Sequence, residues 1–97
     1  MRIELAWWDL DDNDPAPDEL KGCLTDEVLK EWELVPNMIT KLWLVSEDTP
    51  RWGALMIWCG DKPNLSDMPP NISAEIINRP PDHRIAFDVC FESKPAG

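Results

Sequence analysis

Val35–Cys59, VPNMITKLWLVSEDTPRWGALMIWC, is the stretch whose reading decides the fold. It contains two apolar runs, Met38–Ser46 and Trp52–Cys59, joined by the polar turn Glu47–Arg51. A five-residue connection rich in turn formers predicts a β-hairpin. Both strands are apolar at nearly every position rather than at alternate ones, so both of their faces need cover. A chain of 97 residues has little material to supply it. The pattern therefore predicts a partner subunit.

Upstream, Asp18–Leu34 is helical in composition, with Gly22 as a weak point. Thr25 suits an N-cap, with Asp26 and Glu27 favourably placed in the first turn. Leu24, Val28, Leu29 and Trp32 then share one face. Pro36 and Asn37 end the helix before the hairpin. Before it, the acidic, proline-containing Leu10–Pro17 reads as a loop, and Arg2–Asp9 as a strand in which Ile3, Leu5 and Trp7 alternate with Arg2, Glu4 and Ala6. Downstream, Asp61–His83 carries Pro63, Pro69, Pro70, Pro80 and Pro81. Only Asn71–Asn78 is free for a helix of about two turns, with Asn71 as cap and Ile72 and Ile76 on one face. Arg84–Glu92 closes the domain as a strand in which Ile85, Phe87, Val89 and Phe91 alternate with smaller or polar residues.

The order is β-α-β-β-α-β. The expectation is an α+β, ferredoxin-like domain over residues 1–92, with a four-stranded antiparallel sheet, a shortened second helix and a frayed tail at 93–97. One face of such a sheet carries the helices. The other is also apolar, and face-to-face pairing of two sheets in a homodimer would bury it.

Nineteen Asp and Glu against nine Lys and Arg give a formal net charge of −10. That surface repels polyanions, which argues against nucleic acid and anionic membranes as partners. No apolar stretch approaches a membrane span, and the first residues read as strand rather than as a signal peptide. Cys23, Cys59 and Cys90 are odd in number and lack CxxC spacing, so neither a disulfide framework nor a zinc site is indicated, and a reducing cytoplasm fits.

Val35-Pro36-Asn37-Met38-Ile39, followed by Lys41-Leu42-Trp43-Leu44-Val45, resembles the "IPGL…K.W.V" entry to the second strand of the dimeric α+β barrel proteins. Trp52–Trp58 resembles their third strand, "GG.Y.W", and Phe87-Asp88-Val89 the "FDV" of their last. The nearest resemblance is to the YdhR-like monooxygenases and the antibiotic-biosynthesis monooxygenase group. It implies a ferredoxin-like fold paired into a barrel dimer. For some members it also implies oxidation of aromatic or polyketide substrates with oxygen and neither metal nor prosthetic group. The chain departs from the pattern in its cut-down second helix and in having no tyrosine.

Six tryptophans stand out: Trp7, Trp8, Trp32, Trp43, Trp52 and Trp58. They suit either a pocket for a flat apolar ligand or core and interface packing. The pocket candidates are Trp43 and Trp58, then Trp7, with Met56 sharing the parity of Trp58. His83, the only histidine, is the candidate general base. An exposed loop histidine is the alternative, since Asp82 at i−1 does not reliably orient an imidazole. Asp9–Asp14 begins like a calcium loop but lacks the glycine at position six and the glutamate at position twelve, so no metal site is expected. There is no glycine-rich phosphate cradle. Two function classes follow: a cofactor-independent, monooxygenase-like enzyme with an aromatic substrate, or a non-catalytic homodimeric ligand-binding or interaction protein of the same fold.

Overall fold

The computed structural model describes residues 1–96. Strand β1 spans Arg2–Asp9, helix α1 Pro17–Gly22, helix α2 Asp26–Glu33, strands β2 and β3 Met38–Ser46 and Arg51–Trp58, helix α3 Ile72–Ile77 and strand β4 His83–Asp88. A single 3-10 turn at Leu65–Asp67 precedes α3. The four strands form one open antiparallel sheet in the order β2-β3-β1-β4. The domain is thus a small α+β fold, compatible with the ferredoxin-like arrangement.

The segment expected to be one helix is two. Pro17 occupies the first turn of α1, where its missing N–H costs nothing, and Asp18 and Glu19 complement the helix dipole. The chain breaks after Gly22. Thr25 then restarts it, its side-chain oxygen accepting from the Val28 N–H at 3.3 Å. In α3, Asn71 Oδ1 accepts from the Ala74 N–H at 3.1 Å, and Asn78 ends the helix in the left-handed region at φ 66°. The buried face of α3 carries Ser73 and Ile77 rather than Ile72 and Ile76. Strand β4 stops at Asp88, short of the expected Glu92, and no helix or strand follows it through Ala96. The last expected tail residue, Gly97, lies outside the described residues.

Register assigns every strand residue to a face, because residues directly opposed in an antiparallel pair share one. Trp8 pairs with Trp52, Ala6 with Ala54, Glu4 with Met56 and Arg2 with Trp58. These residues lie on the helix-facing side. Trp7 pairs with Gly53, Leu5 with Leu55 and Ile3 with Ile57 on the open side, where His83, Ile85 and Phe87 of β4 continue the rows. In β2 the register shifts between Met38 and Thr40, so Ile39 is the extra residue of a bulge. Beyond it, Lys41 and Trp43 face the helices, while Leu42 and Leu44 face out.

Two clusters form the core between sheet and helices. Trp8, Trp52, Leu20 and Ile77 make one. Trp32, Val35 and Trp58 make the other, and Trp43 packs against both. The indole N–H of Trp8 donates to the Arg79 carbonyl at 3.0 Å, and that of Trp52 to Ser73 Oγ at 2.8 Å, so two large side chains are buried without stranding a donor. The open side is not covered within the chain: Leu42 is 50% exposed and Phe87 63%. Cys59 and Cys90, which the sequence places within the runs of the third and fourth strands, are exposed just beyond the ends of β3 and β4. None of the helices described is long and apolar enough to cross a membrane.

Candidate functional site

The residue row Trp43–Ala54–Ala6–Arg84 crosses all four strands on the helix-facing side. Its two central positions are alanines, while the neighbouring row holds Trp52 and Trp8. Large side chains on either side of a small pair leave a trough in the sheet, and a cavity of about 330 Å³ occupies it. Trp8, Trp32, Trp43 and Trp52 supply its aromatic wall. Its roof is the proline-rich segment, with Leu65, Met68, Pro69 and Pro70 among the lining residues. The shortened second helix thus bears on the cavity: the 3-10 turn and the prolines that precede α3 border it, where prolines exclude a longer helix.

Lys41 enters this space from β2. Its ammonium nitrogen lies 3.1 Å from the ring centre of Trp32 and 4.8 Å from that of Trp43. Trp32 and Trp43 meet edge to face at 6.5 Å. Burial pushes the Lys41 amine down from its ordinary 10.5 to about 7. Among the described residues Lys41 has no carboxylate within ion-pair distance. The indole faces of Trp32 and Trp43 compensate its charge in part. Lys62, by contrast, lies 3.1 Å from Oε1 and 3.3 Å from Oε2 of the buried Glu4, which Arg2 also approaches at 3.9 Å.

The residues singled out from sequence divide between the two faces. Trp43 and Met56 line the cavity. Trp58 has the same parity but is fully buried beneath it, in the second core cluster. Trp7 and His83 sit together on the open face, stacked at 4.7 Å with 23° between ring planes. His83 Nε2 also lies 2.6 Å from Asp9 Oδ2. The imidazole therefore has a carboxylate partner, but from β1 and not from Asp82, and the sheet separates both from the cavity. The signal for that partner was the β1–β4 register, which sequence spacing does not reveal.

Asp82 serves Arg79 instead. The guanidinium of Arg79 reaches Asp14 Oδ1 at 2.6 Å and Asp82 Oδ1 at 3.0 Å. Its hydrogen bonds, reinforced by backbone N–H donors, hold both carboxyls below the usual carboxylate range, while the two acids raise Arg79 further. Asp14 of the calcium-loop-like stretch is thus taken up in a latch joining the β1–α1 loop to the start of β4. Trp8, Trp32 and Trp52 stand among the six tryptophans that the sequence offers for a pocket but not among its chosen candidates, and Lys41 was missed altogether. The available signal was the alanine at equivalent parity in β1 and β3.

No protein-family model matches the chain, and no match is found among curated proteins.

Proposed function

We propose that this protein works as a homodimer that receives a flat aromatic or polyketide-type small molecule in the Ala6–Ala54 trough. The observation that carries this reading is the cavity: about 330 Å³ with four indoles in its wall, within the size range of small-molecule sites. The homodimer rests on the open face. There Ile3, Leu5, Leu55, Ile57, Ile85 and Phe87 form an apolar surface that needs a second sheet, as in the dimeric α+β barrel proteins that the strand motifs resemble. Three free thiols favour a reducing cytoplasm as its setting. Light scattering tests the pairing: a mass twice the 11.1 kDa of the chain is expected, and a single-chain mass overturns it. Calorimetric titration with naphthalene-type ligands tests the pocket.

Lys41 favours a second, enzymatic reading, the cofactor-independent oxygenation implied by the strand resemblance. An amine that titrates near neutrality and faces the pocket is matched to general-base work. It would take a proton from a carbon of the bound substrate, and the carbanion would pass electrons to oxygen. His83 with Asp9 is the alternative base, for a molecule lying against Trp7. Oxygen consumption tied to a bound ligand, lost in Lys41→Gln and kept in His83→Ala, supports the first base. The reverse pattern supports the second. Saturable binding without oxygen consumption leaves the binding protein.

A further inference from the structure

The trough is charged in a way its surroundings are not. The chain carries 19 acidic and 9 basic residues, yet the ionisable side chains lining the cavity are Lys41, Lys62 and Arg84, with no Asp or Glu among them. One of the three, Lys62, is neutralised by Glu4. Lys41 and Arg84 have no acidic partner among the described residues. They stand at opposite ends of the trough, on β2 and β4, three strand spacings or about 14 Å apart at the backbone. Arg84 is exposed at the mouth, where water solvates it. Lys41 is half-buried against the Trp32 ring; Glu33 of α2 borders a second cavity beside it but forms no ion pair with it.

A partly buried cation without a counter-ion is a cost to the fold, and an anion that enters with a ligand removes that cost. Glu4, the nearest buried acid by register, is separated from Lys41 by Met56 in the same cross-strand row and is already held by Lys62. It does not compete for Lys41. We infer that the ligand of this site is an aromatic carboxylate, its ring lying over Ala54 and Ala6 between the indoles and its carboxylate meeting the amine of Lys41. This inference rests on the small-molecule reading of the cavity and adds the charge of what binds there. The chain's overall negative charge would slow the approach of such an anion, and Arg84 at the mouth offsets that locally.

The test is calorimetric titration of the whole chain, near pH 6.5 and at low salt, with 2-naphthoate and with the uncharged 2-naphthylmethanol. Naphthoate is expected to bind at least tenfold more tightly. In Lys41→Met and in Lys41→Gln the ratio of the two affinities is expected to fall to about one. Equal binding of acid and alcohol by the native chain overturns the inference and leaves the pocket standing. A preference that persists in both Lys41 variants overturns the assignment to Lys41. Failure of both compounds to bind overturns the pocket reading itself, and the inference with it.

Discussion

On its helix-facing side the sheet carries Trp8, Trp52 and Trp58, all buried. On its open side it carries Ile3, Leu5, Leu42, Ile85 and Phe87, of which the last three are largely exposed. The first face interleaves its apolar residues with Glu4, Ala6 and Arg84. The second is the more uniformly apolar. Clean alternation in a strand ordinarily points to the core, yet in β1 and β4 the alternating hydrophobic residues point away from it. Covering helices report what one chain can bury, and under the proposed homodimer the apolar pattern of β1 and β4 reports the face that a second chain would cover. The helix-facing side gives up some apolar character where Ala6, Lys41 and Arg84 border the cavity.

The strongest way to break this contrast is to empty the covered face. Trp58 is fully buried, so Trp58→Ala is expected to cost about 3–5 kcal/mol. That is enough to unfold much of a domain this small, and it reads out as loss of the urea unfolding transition. Next comes Gly53, which lies in the open-face row between Trp7 and Leu44. A Cβ there would run into the Ala6 carbonyl oxygen and come within 2.7 Å of Trp7 Cβ. Neither is the far end of a flexible side chain. Gly53→Ala must therefore spread β1 from β3, at an expected cost of roughly 1–3 kcal/mol in urea unfolding. A cost under half a kilocalorie would mean that the two central strands are looser than their register implies.

The hairpin at 38–58, the period-two strand at Arg2–Asp9 and the caps Thr25 and Asn71 were legible in the sequence because each is a local signal: apolar runs, alternation and a side chain three residues from the N–H it accepts. The site was less legible because it is made by what is missing. Ala6 and Ala54 mark the trough only once register places them side by side, and register is not local. Met56 was placed by its parity with Trp58, and it borders the cavity together with Trp43. Trp58 shares that parity yet lies in the core, because nothing in the sequence says where the roof of the cavity ends. His83 was visible as the lone histidine. Its partner Asp9 was not, because 74 residues separate them. The register of the sheet is what brings the candidate residues together.

Lys41 sharpens the contrast from the covered side. Its amine titrates at about 7 in the fold against 10.5 in the free chain. Below about pH 7 both states hold the proton, and the fold bears the full cost of the buried charge. Between about 7 and 10.5 only the unfolded chain holds it, so stability rises with pH; above that range the cost is gone. Lys41→Met is therefore expected to stabilise the protein at neutral pH and below, by roughly 1–2 kcal/mol once stacking on Trp32 is allowed for. The gain should shrink towards zero as pH rises past about 10. Thermal unfolding of both proteins across that range measures it. A variant less stable than the native chain at neutral pH would show that Lys41 is structural, its stem packed for the fold rather than its amine kept for a ligand.

The smallest change in chain stability is expected from Phe87→Asp, on the open face. Phe87 is 63% exposed in the single chain, and substitutions at such positions ordinarily alter stability by no more than about 0.5 kcal/mol. If the open face is the seam of a homodimer, that small number hides a large effect on assembly. Mass action makes the unfolding midpoint of a dimer rise with protein concentration. The native chain should show that rise over a hundredfold dilution series, and Phe87→Asp should not. At high dilution, where both are single chains, their midpoints should converge. A native midpoint independent of concentration would mean that the apolar open face is tolerated in water by one chain. The contrast between the faces would then be one of composition alone.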